Sequence, residues 1–319
     1  MTSVLLTKNL TRYYGELCAV RDMNIDVGNE IFGLLGPNGS GKTTTVLMLT
    51  TLLTPTSGTA SVCGIDTVKY PRKVREKISY VPQDMAVDIR LTGRENVRLY
   101  AELYGISRPK DRTDEVIGIL DLEDRADDFV KAYSGGMRRR LELAQALVHD
   151  PEVLFLDEPT VGLDVSARKK IWEYIRTLKK RGMSIFVTTH YMDEADRNCD
   201  RVAFMDRGSV KTCDTPAALK KLIDGDIIVA SVEGTLPPVR LDGVKVISQN
   251  EEEITFLVKD RKNAGDYIGQ EIQSLGATLN SISIRKPTLD DVFLHLVGDI
   301  EDTRPINMTS YRNMLGRRR

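Results

Sequence analysis

The run GPNGSGKTT at Gly36–Thr44 constrains this chain more than any other stretch. It fits the spacing G-x-x-x-x-G-K-[ST], with Gly36, Gly41, Lys42 and Thr43 in register. Such a loop needs a buried strand to feed it and a helix to leave it. Both are legible. Ile31–Leu35 is a nearly continuous apolar strand, and Lys42–Leu53 carries Val46, Leu47, Leu49 and Leu53 as a helix would. Glycines lack a Cβ, so backbone N–H groups can converge on phosphate oxygens, and the helix adds the positive end of its dipole. Lys42 can reach the β- and γ-phosphates of a nucleoside triphosphate, and the Thr43 hydroxyl can ligate Mg²⁺. Pro37, Asn38, Gly39, Ser40 and Thr44 complete the expected contact surface.

Two more buried strands follow the same logic. Val153–Leu156 precedes Asp157-Glu158, and Ser184–Thr188 precedes His190, with Ser166–Arg181 between them reading as a helix ended by Gly182. This alternation predicts an α/β fold with a parallel sheet covered by helices. The stretch Thr92–Arg140 reads instead as mostly helical, with Glu95–Tyr104 and Thr113–Leu120 as its elements, inserted as a lobe into the sheet domain. Beyond Asp224–Asp226 the pattern changes. Ile227–Val232, Val244–Ser248, Ile254–Val258 and Ser281–Ile284 read as strands and Ala264–Leu275 as a helix, a small α+β domain. The expected division is residues 1–225 with a helical subdomain at about 84–140, then 226–297, then a flexible tail over 298–319.

The acids after the second strand suit chemistry, because the carboxyl edge of a parallel sheet is where nucleotide sites form. Asp157 can hold hydrated Mg²⁺, while Glu158 can position or deprotonate an attacking water. Two acids after a strand otherwise make only a turn, and the upstream loop favours the catalytic reading. Ser134-Gly135-Gly136 opens a second helix, with Met137, Leu141, Ala144 and Val148 at helical spacing. Ser134 suits an N-cap and the glycines expose N–H groups. This is a second anion site without a lysine of its own, useful when it closes over a nucleotide held elsewhere.

Composition narrows the classes. With 41% apolar and 29% charged residues and a net charge of −1, the chain reads as globular and offers no global footprint for nucleic acid. The clusters Arg138–Arg140 and Arg317–Arg319 read as solvated charge. Cys18, Cys63, Cys199 and Cys213 are scattered without a C-x-x-C pair, as expected of reduced thiols in the cytosol. The N-terminal run is too polar for a signal peptide. No apolar run approaches the ~20 residues of a spanning helix. Any membrane-spanning part is therefore expected on another chain.

Taken in order, the loop at Gly36–Thr44, YVPQD at Tyr80–Asp84, YSGGM at Tyr133–Met137, Asp157-Glu158, Gly162-Leu163-Asp164 and TTH at Thr188–His190 resemble the ATPase subunit of an ATP-binding-cassette (ABC) transporter. The resemblance spans about Val4–Leu222. It implies a P-loop ATPase sheet core with β and helical subdomains, followed here by the small α+β domain. It also implies that ATP is sandwiched between the loop of one subunit and the Ser134–Gly136 turn of another. Tyr14 matches the aromatic that stacks on adenine, and Gln83 the glutamine that senses Mg²⁺ and the attacking water and faces the membrane subunit. Asp164 matches the loop that crosses the dimer interface, and His190 the histidine that contacts the γ-phosphate. Met137 stands where many members carry glutamine. YSGGMRRRLE and the phrase RKPTLDDVFLHLVG at Arg285–Gly298 are similar to the daunorubicin-resistance type of drug exporter.

The expected function is thus an ATPase using ATP and Mg²⁺ to drive a separate transmembrane permease in export. A homodimer of ATPase subunits suffices, peripheral on the cytoplasmic face of the membrane, with no nucleic acid bound. The alternative is a non-transport ABC ATPase acting on nucleic acid or ribosomes, which the single cassette and the absence of a long heptad insertion disfavour. A general P-loop kinase or GTPase is disfavoured by the YSGGM turn and by the lack of an NKxD motif.

Overall fold

The computed structural model describes residues 3–233, 239, 241, 244–250, 252–259 and 264–298. Its first strand, β1 (Leu5–Tyr14), turns at Gly15, φ 58°, into β2 (Leu17–Met23). Alternation fails at Asn9, which takes φ 48° and donates its N–H to Asn24 Oδ1 at 2.9 Å. Just beyond it, between Leu10 and Arg12, the register with β2 slips. A bulge of this kind hides a strand from a period-two reading.

After β3 (Asp26–Val27) come β4 (Ile31–Leu35), α1 (Lys42–Leu49), β5 (Ser57–Val62), β6 (Ile65–Asp66), α2 (Pro71–Arg75) and β7 (Ile78–Val81). Three helices follow: α3 (Gly93–Leu103), α4 (Pro109–Ile119) and α5 (Gly135–Leu147). Next are β8 (Val153–Asp157), α6 (Val165–Lys180), β9 (Ser184–Thr189), α7 (Met192–Asn198), β10 (Arg201–Asp206), β11 (Ser209–Asp214) and α8 (Pro216–Lys220). The described chain closes with β12 (Asp226–Glu233), β13 (Lys245–Gln249), β14 (Glu253–Val258), α9 (Ala264–Ser274), β15 (Thr278–Arg285) and α10 (Leu289–Gly298).

Packing divides the chain into two units, Met1–Tyr191 with Asn198–Thr212, and Met192–Arg197 with Cys213–Arg319. In the first, a six-stranded sheet has the order β11-β10-β4-β9-β8-β7. Neighbours from β10 to β7 are parallel, with Phe32 opposite Phe186 and Phe186 opposite Phe155. Strands β4, β8 and β9 are buried along their whole length, which is why they read as unbroken apolar runs. Because these strands are parallel, the loops after β4, β7, β8 and β9 emerge at one edge. A second sheet, antiparallel in its pairings, has the order β2-β1-β5-β6, with β3 also on β1.

Two helix boundaries differ from the sequence reading for local reasons. The α1 helix stops at Leu49 rather than Leu53, because Thr51 takes φ 65° and turns the chain out of the helix. The α3 helix starts before Glu95. Thr92 is its N-cap, and Glu95 reaches back to the Thr92 N–H at 2.8 Å in a capping box.

The second unit holds an antiparallel sheet of order β13-β14-β12-β15, with Ile228, Ala230 and Phe256 packed in one core with Ile268 and Ile272 of α9. Its strands and α9 match the periodic segments, whereas α10 was not anticipated as a helix. Asp291 anchors it by accepting the Thr288 N–H and hydroxyl, both at 2.7 Å, and the Arg285 guanidinium. Gly298 closes α10, and the rest of the tail expected over 298–319, with Arg317–Arg319, falls outside the described residues. Among the described residues no helix is long and apolar enough to cross a membrane.

Candidate functional site

Glycine is required in the loop between β4 and α1 for reasons of space. A Cβ on Gly36 would stand 2.1 Å from the Met205 carbonyl oxygen, and one on Gly41, φ 108°, 2.3 Å from that of Ala19. No side chain caps the start of α1. Its first N–H groups and its dipole therefore point into the loop, where an anion satisfies both. Ser40 is buried there with its Oγ unpartnered. Lys42 is 4% exposed and donates from Nζ to the carbonyls of Gly36 at 2.8 Å and Pro37 at 3.2 Å. Asn38, Gly39 and Thr43 are exposed, while Pro37 and Thr44 are half-buried.

Across the same edge, β8 ends in the two acids. The Thr188 hydroxyl of β9 donates to Asp157 Oδ1, while Asp157 Oδ2, buried, has no hydrogen-bond partner. Glu158 turns the chain sharply with φ 47°, and its N–H is held by the Thr188 carbonyl and hydroxyl, each at 3.1 Å. Left-handed backbone in a residue with a long side chain is strained and persists where the surroundings enforce it. The turn aims the carboxylate inward. Oε1 lies 3.4 Å from Lys42 Nζ, and His190 Nδ1–H donates to Oε2 at 2.9 Å.

Electrostatics here is a contest between burial and partners. Burial pushes the Glu158 carboxyl up, yet the His190 hydrogen bond and the Lys42 charge outweigh it, so the group sits below its ordinary value. Burial dominates at Lys42 and pulls the ammonium below its ordinary value, with Glu158 and Asp157 opposing. Tyr80 is raised by burial first and then by the nearby Asp157 carboxylate.

The structure thus gathers Lys42, Asp157, Glu158 and His190, four of the residues singled out from sequence. Gln83 is on the same edge, exposed after β7, and makes no hydrogen bond to any of the four. Tyr14 ends β1, 44% exposed, with the Arg12 guanidinium 4.8 Å from its ring centre and braced on the Thr54 carbonyl at 2.8 Å.

A second anion-ready place is built elsewhere. Ser134 caps α5, its Oγ accepting the Met137 N–H at 3.2 Å, and Asp164 caps α6 through the Ala167 N–H at 2.9 Å. Ser134, Gly136, Met137, Asp164 and Lys170 line a groove of about 190 Å³ between the two helix starts. A Cβ on Gly136 would stand 2.9 Å from Ala167 Cβ, whereas one on Gly135 meets only Leu163 at 3.5 Å. The loop at 36–44 contributes nothing to this groove.

One reading is corrected. The Arg138–Arg140 run is not a solvated face: Arg139 is 3% exposed and Arg140 donates to the Leu120 and Asp121 carbonyls. Sequence reasoning also passed over Thr188, which orients both acids. Its threonine at the end of an apolar strand was the available signal.

The residues fit a nucleoside triphosphate with its cation: uncapped helix N–H groups, a buried ammonium, and an unpartnered buried carboxylate oxygen on Asp157. Among the described residues no group of three or more His, Cys, Asp or Glu forms a metal cage by itself. A cation at Asp157 would be shared with phosphate.

Comparison with known proteins agrees with this geometry. Residues 20–161 match the family described as ABC transporter, and residues 215–297 match the ATP-binding protein DrrA1-3-like, C-terminal domain. The chain is 40% identical to a daunorubicin resistance ATP-binding protein, DrrA2, of Streptomyces coeruleorubidus, across 91% of this chain and 93% of that one. It is 36% identical to a Nod factor export ATP-binding protein of Cupriavidus metallidurans, across 93% and 98%. Among solved structures, a dimeric ATP-binding cassette in a post-hydrolysis state with ADP and Pi superposes with a TM-score of 0.60 at 27% identity, over 66% of this chain and 98% of that one. The chain belongs to the ATP-binding subunits of the ABC transporters and is an ATP-hydrolysing enzyme.

Proposed function

We propose that two copies of this chain close head to tail over two ATP molecules and drive a separate membrane permease that exports a drug-like small molecule. The observation behind the dimer is the division of the site. Lys42, Glu158 and His190 are gathered at one place, while the Ser134 helix start, also suited to phosphate, lies in a groove that the 36–44 loop does not line. Each is half of a sandwich. The named drug-resistance and export proteins to which the chain is similar support the direction and the substrate class.

In this reading Tyr14 stacks on adenine, and the N–H groups of 36–41 with Thr44 cradle the phosphates. Lys42 leaves its carbonyl partners and Glu158 to neutralise the outer phosphates. Thr43, Asp157 and Gln83 would hold Mg²⁺, which would neutralise phosphate charge. Glu158 accepts a proton from the attacking water, and His190 holds that carboxylate in place beside the γ-phosphate. Ser134, Gly135 and Gly136 of the opposite copy cover the phosphates, with Asp164 at the crossing. The permease places the chain on the cytoplasmic face of the membrane.

Sedimentation of the full-length Glu158→Gln variant tests the dimer. Its mass should double with MgATP and not with MgADP. A monomer at saturating MgATP would sink the sandwich.

A further inference from the structure

Arg139 lies one turn into α5, yet its contacts belong to other segments. Its Nε donates to the Pro159 carbonyl at 3.0 Å, Nη1 to the Pro82 carbonyl at 2.7 Å and to Glu142 Oε2 at 2.8 Å, and Nη2 to the Asp157 carbonyl at 3.1 Å. Glu142, 4% exposed, turns its other oxygen to the Ala86 N–H at 2.6 Å. The pair therefore grips the segment after β7 at Pro82 and Ala86, either side of Gln83. It also holds the turn after β8 at Asp157 and Pro159, either side of Glu158.

Position makes this more than packing. The β7–β8 ladder ends at Val81 opposite Leu156, and beyond it the guanidinium carries the connection on, at the point where both chains enter the site. A buried ion pair is a poor device for stability alone, since apolar residues of similar size often serve as well or better. An arginine fork supplies direction instead, because its N–H groups diverge in one fixed plane. Glu142 holds that plane in register by occupying one N–H of Nη1.

We propose that Arg139, oriented by Glu142, is a positioning residue that fixes the Gln83 segment against the Glu158 turn and ties both to the helix beginning at Ser134. This rests on reading Gln83 and Glu158 as catalytic. Movement of the 82–86 segment or of α5 then reaches the Glu158 carboxylate through one side chain. Neither Lys42 nor Tyr14 is among its partners, so the effect falls on turnover and not on nucleotide affinity.

The test uses the full-length chain with MgATP and four variants: Arg139→Gln, Arg139→Lys, the double Arg139→Met/Glu142→Met, and Glu158→Gln as control. Steady-state kinetics, melting temperature and amide exchange at Ala86 are read for each. Arg139→Gln should lower kcat at least tenfold with KM for ATP within twofold, and should speed exchange at Ala86. Arg139→Lys should restore part of the kcat. The double variant should recover the melting temperature lost in Arg139→Gln without recovering kcat. Native kcat in the double variant beside an inert Glu158→Gln overturns the proposal alone, as does a loss in Arg139→Gln no larger than its unfolded fraction. Normal turnover by Glu158→Gln overturns the site reading and the proposal with it.

Discussion

Lys42 Nζ and Glu158 Oε1 stand 3.4 Å apart, each more than nine-tenths buried, so the ammonium of the phosphate loop and the acid of the β8 turn neutralise one another. Removing the Glu158 charge leaves Lys42 with the Gly36 and Pro37 carbonyls and the Asp157 charge. Glu158→Gln should lower ATP turnover by about 100-fold or more, within the range general bases contribute. Its amide oxygen still accepts from His190 or Lys42, so the fold should survive. Pre-steady-state phosphate release checks the turnover, and a normal rate would remove Glu158 as base.

The depressed Glu158 carboxyl sets an acid signature. Its folded value lies below the ordinary 4.5, so its ionisation stabilises the fold fully above that ordinary value. That contribution is lost as pH falls from 4.5 through the depressed folded value. Melting curves of the native chain should lose stability across this window, and Glu158→Gln should lose less there. Identical acid limbs would mean that the pair with Lys42 and His190 contributes nothing.

The two glycines of the second helix start should answer differently. Gly136→Ala pushes a methyl to 2.9 Å from Ala167 Cβ and should cost about 1–3 kcal/mol as overpacking. Gly135→Asp meets only Leu163, at 3.5 Å, and an acid in a first helical turn gains about 0.3–1 kcal/mol from the dipole. Gly135→Asp should therefore melt no lower than the native chain, yet lose ATP-dependent dimerisation. Dimer formation at native affinity would separate Gly135 from the phosphates.

At the β1–β2 turn, Tyr14 has one ring face under Arg12, which leaves the other for a base. Tyr14→Ala should weaken ATP by about 1–3 kcal/mol, the range of a base stacked on an aromatic. Arg12→Ala should cost less, about 0.5–1 kcal/mol, through loss of the cation over the ring. Fluorescent-nucleotide titration reads both, with kcat at saturation unchanged.

Strands buried on both faces announce themselves, which is why β4, β8 and β9 and the residues that follow each were legible before any coordinates. The chemistry of Lys42, Asp157, Glu158 and His190 was visible for the same reason, since each stands at the end of such a run or one loop beyond. Arg139 was not. Three consecutive arginines look solvated, and nothing local says that the middle one points toward carbonyls of residues 82, 157 and 159. Its signal was faint: Glu142, one turn on, lies on the same side of the helix and is buried with it. The α10 helix does carry a local signal: Thr288 and Asp291 form a capping-box pair, and Leu289, Val292 and Phe293 are buried at helical spacing.

The left-handed turn at Glu158 has an evolutionary consequence. At φ 47° an asparagine, or a glycine most of all, relaxes the backbone, while glutamate is held there at about 1–2 kcal/mol. Drift toward a calmer sequence therefore runs directly through the loss of the base. A relative that has abandoned hydrolysis but kept nucleotide binding should betray itself by the small residue it carries at this position.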